Sequence, residues 1–425
     1  MSNTSKDAYA QSSFLDVQPT IFPHAPVRRL PPETLCEIFQ WTVWDGQHTR
    51  KAKNWVVPIA PWRITHVCRD WRHTARGCAS LWSISVWEDH TTDYSYCIDD
   101  EVDYVRKPYE PTEDLTLGFP APALEAQLQL SSLAVLEIVV DIGDGQQAAY
   151  LKPHLCALVR ESNRWSRLTL HWNSGPEFLA PLLSGIHGQL AQLRYLKFDP
   201  EYLEPDYWPV QFGDVFSIAP RLRGINVFNV NDDVPILPSQ LTLPHQTLTH
   251  VRLRCPAHFI FGIIQLQADT LIDAALYIDE EPAEPLRLAD IVLPRLERLS
   301  LPNSWGCGLL HLPRLRDLRL SGNLDEVPTI IKRSQCRLET LEIAYMEITG
   351  SQVTVLDAIF RNVAALSHLW IALPHGKDEE LTTILHLLND PSVCPHLASL
   401  ELDVQSTHSG LEKSWAIIRD ILQSR

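Results

Sequence analysis

Cys394 and His396 stand two residues apart, a spacing that can bring a thiolate and an imidazole to one metal ion. A structural zinc needs four such ligands, and no further Cys or His pair follows at a matching interval. Cys68, in Val67-Cys68-Arg69-Asp70-Trp71, has the type of a nucleophile. It falls, however, on an apolar helical stripe with Ile64, Val67 and Trp71, which is a packing position. The DIGDGQ stretch from Asp141 to Gln146 resembles a calcium loop but lacks the regular oxygen ligands and the closing Glu. No His-Glu-x-x-His, no Gly-x-Ser-x-Gly and no Gly-rich phosphate loop occurs. The expectation is a chain with no catalytic constellation, no metal site and no cofactor.

The remaining chemistry is charge and aromatic surface set in a repeated frame. From Leu133 onward the unit Leu-x-x-Leu-x-Leu recurs with apolar substitutions, opening at Leu133, Trp165, Leu193, Leu222, Leu248, Leu271, Leu296, Leu315, Leu338, Leu366 and Leu397. Steps run from 19 to 32 residues with a mean of about 26, inside the leucine-rich-repeat range of about 20–29. The last two apolar positions lie two apart, so they point to one side of a short strand. Stacked units then build a parallel sheet over a continuous core. Pro220, Pro294, Pro313 and Pro395 each stand two residues before a unit's opening Leu, where they punctuate the approach to a strand. Thr354–Asn362 and Asp378–Leu388 carry helical spacing suited to the outer face. The laddering Asn of regular repeats appears only as Asn173 and Asn323, with Asp141 and Asp279 as substitutes, so the solenoid is expected to be irregular.

This frame turns the flanking residues outward. Lys197, His250, Arg252, Arg254, Arg298 and Arg319 then give the sheet a basic middle. Such a patch suits an acidic or phosphorylated segment, because Arg pairs bidentately with carboxylate and phosphate. The same residues also suit solubilising charges on an open sheet, partly neutralised by Asp273 and Asp317. Trp370 is an outward aromatic, suited to anchoring a partner or to packing under a loop.

Ahead of the repeats, Leu30-Pro31-Pro32-Glu33 opens a helix. The prolines need no N–H partner in the first turn, and Glu33 suits the helix dipole. Leu35, Ile38 and Phe39 continue at helical spacing, and Val67-Cys68-Arg69-Asp70-Trp71 and Leu81-Trp82 follow. Together these residues resemble an F-box, in the F-box-like form common in large fungal families, over Arg28 to about Trp87. The segment between Phe39 and Val67 is longer than in a compact F-box and carries Arg50, Lys51 and Lys53. The resemblance implies a helical module that docks on the Skp-type adaptor of cullin–RING ubiquitin ligases. It implies Leu30, Pro31, Leu35, Ile38, Phe39, Val67, Cys68 and Trp71 at or just beneath that interface, with Trp82 closing the module. Leucine-rich repeats behind an F-box also resemble a class of ubiquitin-ligase substrate receptors.

The expected fold class is therefore α/β: a small helical F-box-like module, then an irregular leucine-rich-repeat solenoid with a curved parallel sheet. The expected divisions of the 425 residues are a disordered tail over 1–27, the module over 28–87, an acidic linker over 88–130 and the solenoid over 131–425. The net charge of −16 argues against general nucleic-acid binding. No apolar run reaches the ~18 residues of a membrane span, and the first residues lack a signal-peptide pattern. Nine Cys without a Cys-x-x-Cys pair fit free thiols in a reducing compartment, hence a cytoplasmic or nuclear protein. The expected role is a non-catalytic substrate receptor binding a Skp-type adaptor and a protein target. The rival reading is a leucine-rich scaffold whose helical start is only a cap.

Overall fold

The computed structural model describes residues 30–48, 59–88, 121–142, 148–172, 185–200, 214–228, 241–254, 257–278, 290–301, 307–322, 324–344, 350–373 and 378–404. Among them the chain opens with helices α1 (Pro32–His48), α2 (Ile59–Thr65) and α3 (Arg69–Gly77) and a 3-10 turn, Ala79–Trp82. Strand β1 (Ile84–Glu88) follows at once. After α4 (Ala121–Leu130) come β2 (Leu136–Ile142), α5 (Ala148–Arg160), β3 (Trp165–Trp172), β4 (Tyr195–Pro200), β5 (Gly224–Phe228) and β6 (His250–Arg254). The rest is α6 (Ala257–Leu266), β7 (Asp273–Tyr277), β8 (Ile291–Val292), β9 (Arg298–Leu301), β10 (Leu310–His311), β11 (Asp317–Ser321), α7 (Val327–Ser334), β12 (Thr340–Ala344), α8 (Gly350–Asn362), β13 (His368–Leu373), α9 (Asp378–Leu388) and β14 (Ser399–Val404).

Twelve of these strands form one sheet in the order β1-β2-β3-β4-β5-β6-β7-β9-β11-β12-β13-β14, every neighbour parallel. Chain order and sheet order coincide, which is the topology of a solenoid: each unit leaves its strand, returns along the outer side and lays the next strand beside the last. Strands β8 and β10 pair separately in the return segments.

The repeat alignment and the ladder agree from the second unit on. Leu168, Leu196, Ile225, Val251, Ala274, Leu299, Leu318, Leu341, Leu369 and Leu400 stand opposite one another, strand after strand. All but Leu400 are buried, and Leu400 packs against the same core. The first unit is two residues out of frame. Leu133 is 91% exposed rather than turned inward, and the ladder sets Ile138 opposite Leu168 and Val140 opposite Leu170. Three apolar residues in alternation, Leu136, Ile138 and Val140, allow either frame, and only pairing with β3 selects one.

In the four units with a Pro two residues upstream, the opening Leu sits at the end of a tight turn. Leu222, Leu296, Leu315 and Leu397 donate their N–H to the carbonyls of Ala219, Leu293, Leu312 and Cys394, three residues back. Pro220, Pro294, Pro313 and Pro395 are the second residues of these turns, where a fixed φ suits the bend. The helical spacing also holds: α8 covers Thr354–Asn362, and α9 spans Asp378–Leu388. Asn173, Asn323 and Asp279 lie outside the described residues, as does the side chain of Asp141.

Two elements fall where the sequence suggested other divisions. Helix α4 occupies the last ten residues of the span read as a linker, and its Leu124 and Leu128 belong to the solenoid core. Strand β1 continues from the helical module and pairs with β2. The segments 1–29, 49–58 (with Arg50, Lys51 and Lys53) and 89–120 lie outside the described residues.

At the approach to β6, which lacks a short Pro turn, a side chain supplies the missing partner. Gln267, just past α6, is 1% exposed. Its Oε1 accepts the N–H groups of Thr247 (2.9 Å) and Leu248 (3.1 Å), and its Nε2 donates to Pro244 O (2.8 Å). This one amide satisfies three backbone groups at the approach to β6. Replacing it with Met keeps the volume and strips all three bonds. Gln267→Met is expected to lose about 1–3 kcal/mol of stability, the penalty for orphaned buried polar groups. Urea unfolding followed by circular dichroism checks this; an unchanged midpoint would contradict the bonding scheme.

Candidate functional site

Two surfaces stand out: one on the helical module and one on the outward face of the sheet. The module has its own small core of Leu35, Phe39, Ile64, Ala75, Cys78, Leu81 and Trp82. Trp82 is fully buried. Its indole N–H donates to Ala75 O at 2.7 Å, and Trp62 meets it edge-on with ring centres 4.9 Å apart. Phe39 packs against Trp71, also 4.9 Å between ring centres.

The residues implied for adaptor docking fall into three sets. Leu35 and Phe39 are buried and hold the module together, while Leu30, Cys68 and Trp71 are half-buried. Pro31 is exposed, Ile38 is 42% exposed and Val67 is 60% exposed. The continuous stripe through Ile64, Val67, Cys68 and Trp71 is not formed. The chain turns at His66–Val67, and Cys68 caps α3, its Sγ accepting the Trp71 N–H at 3.4 Å. Cys68 is thus a helix cap rather than a core residue, because the turn ends the helical period three residues before Asp70. Trp41, three residues beyond Ile38 on α1 and hence on the same face, is 67% exposed. The sequence reading passed over it, although its spacing from Ile38 was the available signal. Cys36 sits beside the core; burial, then a hydrogen bond with Cys78 and its charge, then Glu33, push its thiol up to about 11. It is therefore protonated at neutral pH and unsuited to nucleophilic work.

On the sheet, register puts the outward residues in rows. The central row reads Thr169, Lys197, Asn226, Arg252, Ala275, Ser300, Arg319, Glu342, Trp370 and Glu401. A groove of about 740 Å³ runs over β4–β12 and is lined by His250, Arg252, Arg298 and Arg319 of the sequence-derived patch. It does not reach Trp370, which lines a separate shallow depression of about 270 Å³ with Glu342 and Glu401.

The patch is not uniformly basic. Arg298 places Nε and NH2 on the same Asp273 carboxylate oxygen, each at 2.9 Å. Arg319 Nε reaches Glu342 at 2.8 Å. Asp273 was the expected neutraliser of the first; Glu342, rather than Asp317, takes the second, because it stands directly opposite Arg319 on the next strand. These pairs are solvent-exposed, so each contributes only about 0–1 kcal/mol. Lys197 and Arg254 each have an interaction partner as well. Arg252 is exposed and has no ion pair among the described residues. Arg194 and Arg223, just ahead of β4 and β5, line the same groove and are exposed. Sequence reasoning missed them, although Leu193-Arg194 and Leu222-Arg223 repeat one position of the unit.

Tyr195 forms part of the groove floor. The Arg167 guanidinium stands 4.9 Å from the centre of its ring. On the other side Gly224 gives the ring room: a Cβ there would lie 2.7 Å from Tyr195 Cδ2.

Among the described residues, no group of three or more His, Cys, Asp or Glu could hold a metal ion, and Cys394 is buried with His396 exposed. No helix among them is long and apolar enough to cross a membrane. No protein-family model and no curated protein matches the chain. Among solved structures, the chain is similar to one described as the crystal structure of the TLR13–ssRNA13 complex. The identity is 14% and the TM-score 0.28, over 58% of this chain and 43% of that one. The chain thus spans less than half the length of that protein. So loose a likeness carries no argument, and the architecture rests on the strand register above.

The Tyr195–Gly224 contact gives a sign-changing test. Gly224→Ala is expected to cost about 1–2 kcal/mol by forcing the ring aside. In a Tyr195→Ala background the same change should be neutral or stabilising by up to about 1 kcal/mol. Denaturant unfolding of the two single variants and the double variant decides it; equal losses in both backgrounds would remove the steric account.

Proposed function

We propose that this chain is a non-catalytic substrate receptor of a Skp–cullin–F-box type ubiquitin ligase. The helical module docks on the Skp-type adaptor, and the repeat sheet holds a protein target for ubiquitin transfer by other subunits. The supporting observation is the exposed apolar set Pro31, Ile38, Trp41 and Val67, left over from a module whose own core is complete without it. Large apolar side chains left outside a finished core suit burial against another protein. The long sheet face, with its grooves and rows of polar side chains, suits the same kind of partner on the target side.

A second reading has its own support. The module is joined to the first repeats: β1 pairs with β2, Gln127 Nε2 donates to Trp82 O at 3.4 Å, and Leu130 packs against the module core. Those contacts suit a cap that closes the end of a leucine-rich scaffold without any role in ubiquitin transfer.

Co-expression with the Skp-type adaptor separates the two. The informative variant is Ile38→Asp/Trp41→Ala/Val67→Asp, because it spares the buried Leu35 and Phe39 and leaves the fold intact. The expected result is a stable complex by size exclusion, with affinity reduced by at least about tenfold in the variant. No complex between well-folded partners would favour the cap.

A further inference from the structure

The outward face changes charge along the solenoid. On β4–β6 and the residues leading into them, Arg194, Arg223, His250 and Arg252 are exposed, and the described outward side chains of these strands include no carboxylate. Asn226 lies between Lys197 and Arg252 in the central row, 8% exposed, and its Oδ1 has no hydrogen-bond partner among the described residues. Next, over β7–β12, charges alternate and cancel through Arg298–Asp273 and Arg319–Glu342. At β13 and β14 the sign reverses. Trp370 stands between Glu342 and Glu401 in the row, and Asp403 is exposed beyond them. An indole beside the Glu401 carboxylate favours a cation, through the ring quadrupole and through direct pairing.

We infer that the sheet binds one extended, bipolar segment of a protein partner. Its acidic part lies on Arg194, Arg223 and Arg252, and a Lys or Arg lies on Trp370 beside Glu401, since Glu342 on the other side is already paired with Arg319. This rests on the reading of the sheet as the target-binding face and adds the segment's charge order and length. Five strand steps separate Arg252 from Trp370, about 24 Å at ~4.8 Å each. An extended chain covers that in about seven residues at ~3.3 Å apiece. The self-neutralised middle selects for an uncharged spacer, since either charge there would compete with a pair already made.

Labelled ten-residue peptides test this by fluorescence anisotropy with the full chain. One carries three glutamates, four Ser/Gly spacers and three arginines. A second has the reverse order, and a third alternates the same charges. Acid-only, base-only and phosphoserine-for-glutamate versions complete the set, the last distinguishing phosphate from carboxylate. One of the two block orders is expected to bind at least about tenfold tighter than the alternating peptide. Arg252→Glu and Trp370→Ala should each weaken it at least about fivefold. Trp370→Ala should leave the acid-only peptide unaffected. Equal binding of block and alternating peptides overturns the charge order while leaving the sheet a binding face. Binding indifferent to both variants, or no binding of any peptide at about 1 mM, overturns the inference outright. Adaptor capture by the module is measured separately, so neither failure is mistaken for the other.

Discussion

One backbone carbonyl per repeat fixes the solenoid. From the third unit to the tenth, the residue after the opening apolar position offers its C=O to two successive N–H groups of the next unit. Arg194 O takes the N–H groups of Arg223 and Gly224; Arg223 O takes those of Thr249 and His250. The series continues through Thr249, Ile272, Glu297, Arg316, Glu339 and Ser367, with all distances between 2.8 and 3.1 Å. A carbonyl has two lone pairs, so one acceptor can lock both the register and the start point of its neighbour. Because the acceptor and both locking donors are main-chain atoms, Arg, Thr, Ile, Glu and Ser all serve, and the Thr249 and Ser367 hydroxyls only add to Arg223 O and Glu339 O. The repeat can therefore be degenerate in sequence while the sheet stays in register. The same lock frees the outward side chains from structural duty, which is what lets one face carry a charge pattern.

The returning segments absorb the variation that the strands refuse. Steps of 19 to 32 residues are accommodated by a Pro turn in some units and a full helix in others. Each solution then needs local partners for its own backbone. Gln267 supplies them before β6, and Ser334 Oγ accepts the Leu312 N–H at 2.9 Å across two units. In a stack where each unit touches mainly its neighbours, such repairs act locally. Long and short units can then alternate without disturbing the sheet two strands away.

How much of this was legible in the sequence depends on which atoms carry the information. The buried column from Leu168 to Leu400 was readable because period-two apolar residues leave their mark in side-chain type. The first unit was misread by two residues because Leu133, Leu136 and Ile138 fit the same template as Val135, Ile138 and Val140. The backbone ladder left no trace at all, since any residue presents the same carbonyl. On the outward face, the basic residues could be counted, but not their partners. That Arg319 meets Glu342 depends on register between two strands 23 residues apart. In the module, the helical period predicted a stripe through Cys68, and a side-chain cap interrupted it. Ser, Thr, Asp and Asn are the usual signals of a cap, so a thiol in that role was hard to foresee.

The junction between module and solenoid bears on both functional readings. The β1–β2 ladder continues the module directly into the sheet, and Glu137 N donates to Ser83 O at 3.1 Å beside it. Buried Gln127 and half-buried Leu130 extend α4 onto the module. A bare cap would need these contacts and nothing more; its far side would be polar, as the ends of solenoids require. Here the module keeps Trp41 and Val67 in water, where polar residues in their place would be more soluble. Exposure of that kind is a standing cost in aggregation unless another protein covers it. The joined core therefore accounts for how the module is attached, and the uncovered apolar face argues for what the attachment presents.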